Sequence, residues 1–120
     1  MANQEIKGIK RILKACVYSW NGLKAAFKHE ESIRLETIAI LCAIPLAIIV
    51  GNNGVEIALL IGSVIVVFLV ELINSAIEAV VDRFGGEIHE LSGRAKDIGS
   101  AAVAVAIILA ILVWSLIIFG

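Results

Sequence analysis

Charge is missing from this chain where a soluble protein would need it. No Asp, Glu, Lys, Arg or His occurs from residue 98 to residue 119. A run of that length without charge is a membrane-spanning helix on almost any scale. Proline occurs once, at Pro45, and cysteine twice, at Cys16 and Cys42. The cysteines have neither metal-ligand nor redox spacing and stand in apolar helical contexts, so they read as small hydrophobes and imply no disulfide. There is no GxxxxGK[ST] loop, no glycine-rich loop with HRD and DFG, no GxSxG and no HExxH, which excludes the common nucleotide-binding scaffolds, the nucleophile elbow and the zinc-protease helix. The first thirty residues contain no short apolar run followed by a small-residue cleavage site, so no cleaved signal peptide is expected.

What is present is mostly apolar. Hydrophobic residues make up 60% of the 120 and charged residues 18%, and the mean hydropathy of +0.99 is that of a chain solvated largely by lipid. The length allows one domain. Seven of the ten basic residues (Lys7, Lys10, Arg11, Lys14, Lys24, Lys28 and Arg34) lie in the first 34 positions, an asymmetry that the net charge of −1 conceals. Residues 5–29 read as an amphipathic helix. Ile6, Ile9, Leu13, Cys16, Val17, Trp20, Leu23 and Phe27 recur at spacings of three and four, and cations fill much of the other side. That pattern suits a helix lying in the plane of a membrane surface. The alternative is a soluble helix docked on protein.

Three apolar segments follow, at 33–50, 55–81 and 98–119. The first holds Pro45, tolerated in a spanning helix as a kink. Gly51-Asn52-Asn53-Gly54 is a turn short enough to make the first two spans antiparallel neighbours. This turn has no Lys or Arg, whereas the N-terminal region and the 82–97 loop carry all ten. The positive-inside rule then places the N-terminus and the 82–97 loop in the cytoplasm. The expected fold class is an all-α integral membrane domain, with an N-terminal surface helix and three transmembrane helices.

The second span carries a polar stripe. Glu71, Asn74, Ser75, Glu78 and Asp82 fall at offsets that place them within an arc of about 100° on one helix face. Counted from Val55, Glu71 lies about 24 Å along the helix, inside a hydrocarbon core of about 30 Å, and Glu78 about 35 Å along, at headgroup level. A carboxylate inside hydrocarbon costs on the order of 3 kcal/mol on insertion scales, so Glu71 marks function. A packing knot is the competing reading, strongest for Asn74 and Ser75. A carboxylate removed from water suits a general base, and one at the wet boundary suits a hard cation such as Mg²⁺, held by one or two carboxylates together with substrate phosphates. The second such carboxylate is Glu30, just before the first span, for which an i,i+4 pair with Arg34 is the alternative.

The loop at 82–97 is rich in groups that bind phosphate and metal. Gly85-Gly86 and Gly93 free the backbone, and Arg94 and Lys96 supply positive charge. Taken alone it is equally a solvated connector. His89 has no second histidine or cysteine at ligand spacing, which argues against zinc, and His29 reads as a solvated interface residue.

The run Glu71-Leu72-Ile73-Asn74-Ser75-Ala76-Ile77-Glu78-Ala79-Val80-Val81-Asp82-Arg83 resembles the signature of the prokaryotic diacylglycerol kinases. So does His89-Glu90-Leu91-Ser92-Gly93-Arg94-Ala95-Lys96-Asp97-Ile98-Gly99-Ser100-Ala101-Ala102, and so does Tyr18-Ser19-Trp20-Asn21-Gly22-Leu23 followed by Glu30. The resemblance implies a homotrimer whose active sites are shared between subunits, in the bacterial inner membrane. It implies transfer of the ATP γ-phosphate to the hydroxyl of diacylglycerol, giving phosphatidic acid, with no nucleic-acid partner. By the same resemblance Glu71 is the base, and Glu30 and Glu78 hold Mg²⁺ with the ATP phosphates. Arg11, Tyr18, Glu87, His89, Lys96 and Asp97 line the nucleotide, Asn74 and Ser100 support the reacting groups, and Arg11, Ser19 and Trp20 lie on the substrate side.

Val17 stands where the family usually has a small residue, and Leu35 where a polar one is common; both bear on lipid preference more than on chemistry. Gram-positive relatives resemble undecaprenol kinases, whereas Asn74-Ser75 and Ser92-Gly93-Arg94 look closer to the diacylglycerol branch. A polyprenol kinase with the same site is therefore the alternative enzyme. A non-catalytic membrane subunit is the alternative of another class.

Overall fold

The computed structural model describes residues 2–84 and 89–120, and among them every regular element is a helix. The four are α1 (Ala2–His29), α2 (Glu31–Val50), α3 (Gly54–Asp82) and α4 (Glu90–Phe119). The last three are long and apolar enough to cross a membrane. The chain divides into two compact units, residues 1–31 and 32–120.

The first unit is α1. Its apolar stripe is uncovered within the unit: Ile9, Leu13, Trp20 and Phe27 are each at least half exposed. Lys24 lies over the Trp20 ring, 6.0 Å from its centroid, an i,i+4 cation–π contact. Lys28 and His29 occupy the last turn, where positive charge opposes the helix dipole. The helix ends at His29, and the N–H of Glu30 still donates to the Ala26 carbonyl at 2.8 Å.

In the second unit α2 turns one stripe inward. Ile33, Ala43 and Ala47 are buried and Ser32, Glu36, Ile40 and Val50 partly so, with spacings of three and four from Ile33 onward. Pro45 lies off this stripe and is exposed. The turn to α3 is closed by Asn53, whose side chain accepts from the Glu56 N–H at 2.9 Å, while Asn52 Nδ2 donates to the Glu56 carboxylate at 3.1 Å. This is an N-cap of the usual Asn kind. Gly51 is required here, because a Cβ would stand 2.6 Å from Ile57 Cγ1 and 2.9 Å from the Ala47 carbonyl oxygen.

The principal helix contact is between α3 and α4. Leu60 and Val67 of α3 are buried, and α4 answers with small residues: Gly99 and Ala106 are buried, and Ser92, Ala95 and Ala110 partly so. Without a hydrophobic drive between helices in lipid, small residues that let backbones approach are what holds such a pair. At one end Trp114 Nε1 donates to the Leu60 carbonyl at 3.1 Å, an oxygen that also accepts from Ser63 Oγ at 2.9 Å. Trp114→Phe removes the donor and leaves that carbonyl with its other partner. The expected loss is about 1 kcal/mol, read from unfolding by SDS in mixed micelles.

The structure departs from the sequence expectation at the second loop. Residues 90–97, expected as the latter half of a connector, are the first turns of α4. His89 is the N-cap, its Nδ1 accepting from the Leu91 N–H at 3.0 Å, and Arg94 reaches back to Glu90 at 3.4 Å. Polarity suggested a loop, but Glu90, Leu91, Arg94, Ala95 and Lys96 are good helix formers with a cap in front of them, and they outweigh Gly93. The helix therefore begins well before its apolar segment does.

Candidate functional site

Glu71 sits on α3 where the sequence stripe predicts it and is partly buried. Ser32 Oγ, from the first turn of α2, donates to Glu71 Oε1 at 2.9 Å. Glu36, one turn further along α2, is close enough for its charge and that of Glu71 to interact. Sequence reasoning did not assign Ser32 and Glu36 to the site, although a signal was available: both continue the inward stripe of Ile40, Ala43 and Ala47 at helical spacing.

One turn along α3 the stripe changes character. Asn74 and Ser75 are each 7% exposed, buried between helices. Asn74 Nδ2 donates to Glu78 Oε1 at 3.2 Å, tying the amide to a carboxylate one turn on. Asn74 Oδ1 and Ser75 Oγ are buried with no hydrogen-bond partner among the described residues. The close neighbour of Asn74 Oδ1 across the interface is the backbone of Gly99 on α4, where a Cβ would overlap it. Glu78 is partly buried, and Asp82 at the end of the stripe is exposed.

At the polar end of this pair Lys96 Nζ donates to Asp82 Oδ1 at 3.0 Å, bridging α4 to α3. Lys96 precedes the uncharged segment that starts at Ile98. The hydrogen bond it donates to Asp82, and then the carboxylate's charge, raise the ammonium above its usual range. Asp97 and Ser100 are exposed on α4, and Ser100 lies off the buried face that Gly99 shares with Asn74. The structure therefore groups Glu71 with Ser32 and Glu36, Asn74 with Glu78, and Asp82 with Lys96, but gives Ser100 no place in any of them.

Of the other sequence-derived site residues, Arg11, Tyr18, Ser19, Trp20 and Glu30 belong to the first unit. Arg11 and Tyr18 line a shallow groove along α1 with Lys7, Lys10 and Lys14. Ser19 and Trp20 are exposed, and Glu30 is partly buried at the α1–α2 break. His89 caps α4 as described, and Glu87 lies outside the described residues.

The family model for prokaryotic diacylglycerol kinase matches residues 17–118. The chain is 51% identical over 120 residues to a diacylglycerol kinase of Escherichia coli K12, an alignment covering 100% of this chain and 98% of the relative. It is 47% identical over 112 residues to one of Haemophilus influenzae, covering 93% and 95% of the two chains. With one of Pseudomonas aeruginosa it shares 43% identity over 113 residues, covering 94% and 92%. These matches span all three apolar helices and the polar stripe of α3, and the chain belongs to the prokaryotic diacylglycerol kinase family.

Proposed function

We infer that this protein phosphorylates diacylglycerol with ATP, giving phosphatidic acid, at the cytoplasmic face of a bacterial inner membrane. The observation that carries the reading is the placement of two unlike carboxylates on one face of α3. Glu71 lies within the apolar part of the helix under a serine hydroxyl, and Glu78 lies about 10 Å further toward the polar end under an amide. A lipid hydroxyl and a water-soluble phosphate donor meet at such a boundary.

In this reading Glu71 accepts the proton of the lipid hydroxyl as its oxygen attacks the γ-phosphorus of ATP, whose bond to the bridging oxygen breaks so that ADP leaves. Ser32 holds one oxygen of that carboxylate in place. Glu78, with Glu30, supplies oxygen ligands to Mg²⁺. Among the described residues no group of three or more His, Cys, Asp or Glu could hold a metal by itself. Mg²⁺ is commonly held by one or two carboxylates together with substrate phosphates, the donor type that Glu30 and Glu78 offer. When bound, Mg²⁺ neutralises charge on the transferring phosphates. Lys96 and Asp97, with Arg11, Tyr18, Glu87 and His89, are assigned to the nucleotide. Asn74, Ser19, Trp20 and Ser100 are assigned to positioning the lipid and the reacting groups. The surface helix and three spans act as one membrane domain with the N-terminus cytoplasmic, in a homotrimer with shared sites.

The test is phosphate transfer from labelled Mg-ATP in mixed micelles, offering diacylglycerol and undecaprenol separately. Labelled phosphatidic acid is expected. Product from undecaprenol alone would keep the chemistry and change the substrate, and product from neither would return the acidic stripe to a packing role. Lys96→Ala is expected to lower kcat/KM by about a hundredfold, because phosphoryl transfer rests on positioning and charge neutralisation. Full activity in that variant would mean that its pair with Asp82 serves structure alone.

A further inference from the structure

Asn74 is held at both ends of one planar amide. Its nitrogen is on Glu78 at 3.2 Å, and its oxygen is buried against Gly99 without a hydrogen-bond partner among the described residues. The reversed amide would aim an acceptor at a carboxylate and a donor at a C–H group, so charge settles the orientation. Gly99 is itself buried. A Cβ there would overlap Asn74 Oδ1 and stand 3.3 Å from its Cγ. The hydrogen that glycine has in that direction instead faces the orphaned oxygen, a weak C–H···O contact that no other residue offers.

We propose that Gly99 is a positioning residue that orients Glu78 through Asn74. The inference rests on the reading of Glu78 as a metal ligand only in its functional half, because the seat itself is a matter of packing. Any side chain at 99 must push the amide oxygen aside. Because the amide is rigid, its nitrogen then leaves Glu78, and the carboxylate loses the partner that fixes its rotamer. Residues that orient a metal ligand in this way change metal affinity by about 10- to 100-fold when removed.

The experiment compares Gly99→Ala, Asn74→Ala and the double variant in the full chain, purified in micelles. Two quantities are read: the side-chain amide resonance of Asn74 in ¹⁵N-labelled protein without nucleotide or metal, and the Mg²⁺ concentration at half-maximal rate. In Gly99→Ala the resonance is expected to move in the same direction as in Glu78→Ala, which removes the acceptor, and the Mg²⁺ requirement to rise about tenfold or more. In the Asn74→Ala background the extra methyl has room, so adding Gly99→Ala should change the Mg²⁺ requirement less than about twofold, as in a coupled pair. An unmoved resonance in Gly99→Ala, or an equal further loss in the Asn74→Ala background, would overturn the proposal, because Gly99 would then act on helix packing at large. A moved resonance with an unchanged Mg²⁺ requirement would support the seat and remove Glu78 from the metal. If Gly99→Ala does not fold, a folded double variant supports the same conflict with Asn74, and failure of both overturns it.

Discussion

Glu71→Gln is expected to lower turnover by about three orders of magnitude while nucleotide affinity stays within about twofold, the usual scale for losing a positioned base. Glutamine preserves the volume of the side chain, and its carbonyl oxygen still accepts from Ser32 Oγ, which reaches Glu71 at 2.9 Å. It only lacks a group that can take a proton. Helix packing around α2 and α3 is therefore retained, and a loss of rate isolates chemistry from fold. Turnover in mixed micelles and equilibrium binding of a nucleotide analogue are measured on the same preparation. Loss of both together would contradict the base assignment and make Glu71 a structural carboxylate.

Glu78→Gln is expected to behave differently. Its effect should appear as a raised KM for Mg-ATP and a raised Mg²⁺ requirement, with kcat/KM down by about a hundredfold, or about 2.7 kcal/mol of transition-state stabilisation. The neutral side chain can still receive the Asn74 amide that sits at 3.2 Å in the native protein. What it loses is charge, and a hard divalent ion binds carboxylate far better than amide oxygen in a site of one or two protein ligands. An unchanged metal dependence would strike Glu78 from the ligand set and leave it a partner of Asn74. The contrast between the two variants, rate in one and metal in the other, is the sharper test, because general damage to the α3–α4 pair would move both quantities alike.

The helices were legible in the sequence because lipid imposes a simple requirement: every backbone group must be satisfied within its own segment, and apolar length then reads out as a span. The stripe on α3 was legible for the complementary reason, since polar residues in such a segment have few excuses. Ser32 and Glu36 were harder to see. They stand in the first turns of α2, where charge is cheap at the membrane boundary, and only their alignment with Ile40, Ala43 and Ala47 shows that they face inward. Residues 90–97 misled for another reason. Their polarity matches a loop and a helix equally well, and the His89 cap decides between them. Gly99 carried no visible signal, because a glycine beside alanines in a spanning helix is ordinary. Its meaning depends on the side chain opposite.

Asn74 on Gly99 and Trp114 on Leu60 are two keyed contacts between the same two helices. Leu60 and Asn74 are about 21 Å apart along α3. Two anchor points at that spacing remove the ways one rod moves on another: a slide or a roll that frees one must also break the other. The α3–α4 pair then has the degrees of freedom of a single stiff strut. Whatever travel a reaction cycle demands falls to α2, and Glu71 and Glu78 keep a constant distance from each other while that happens.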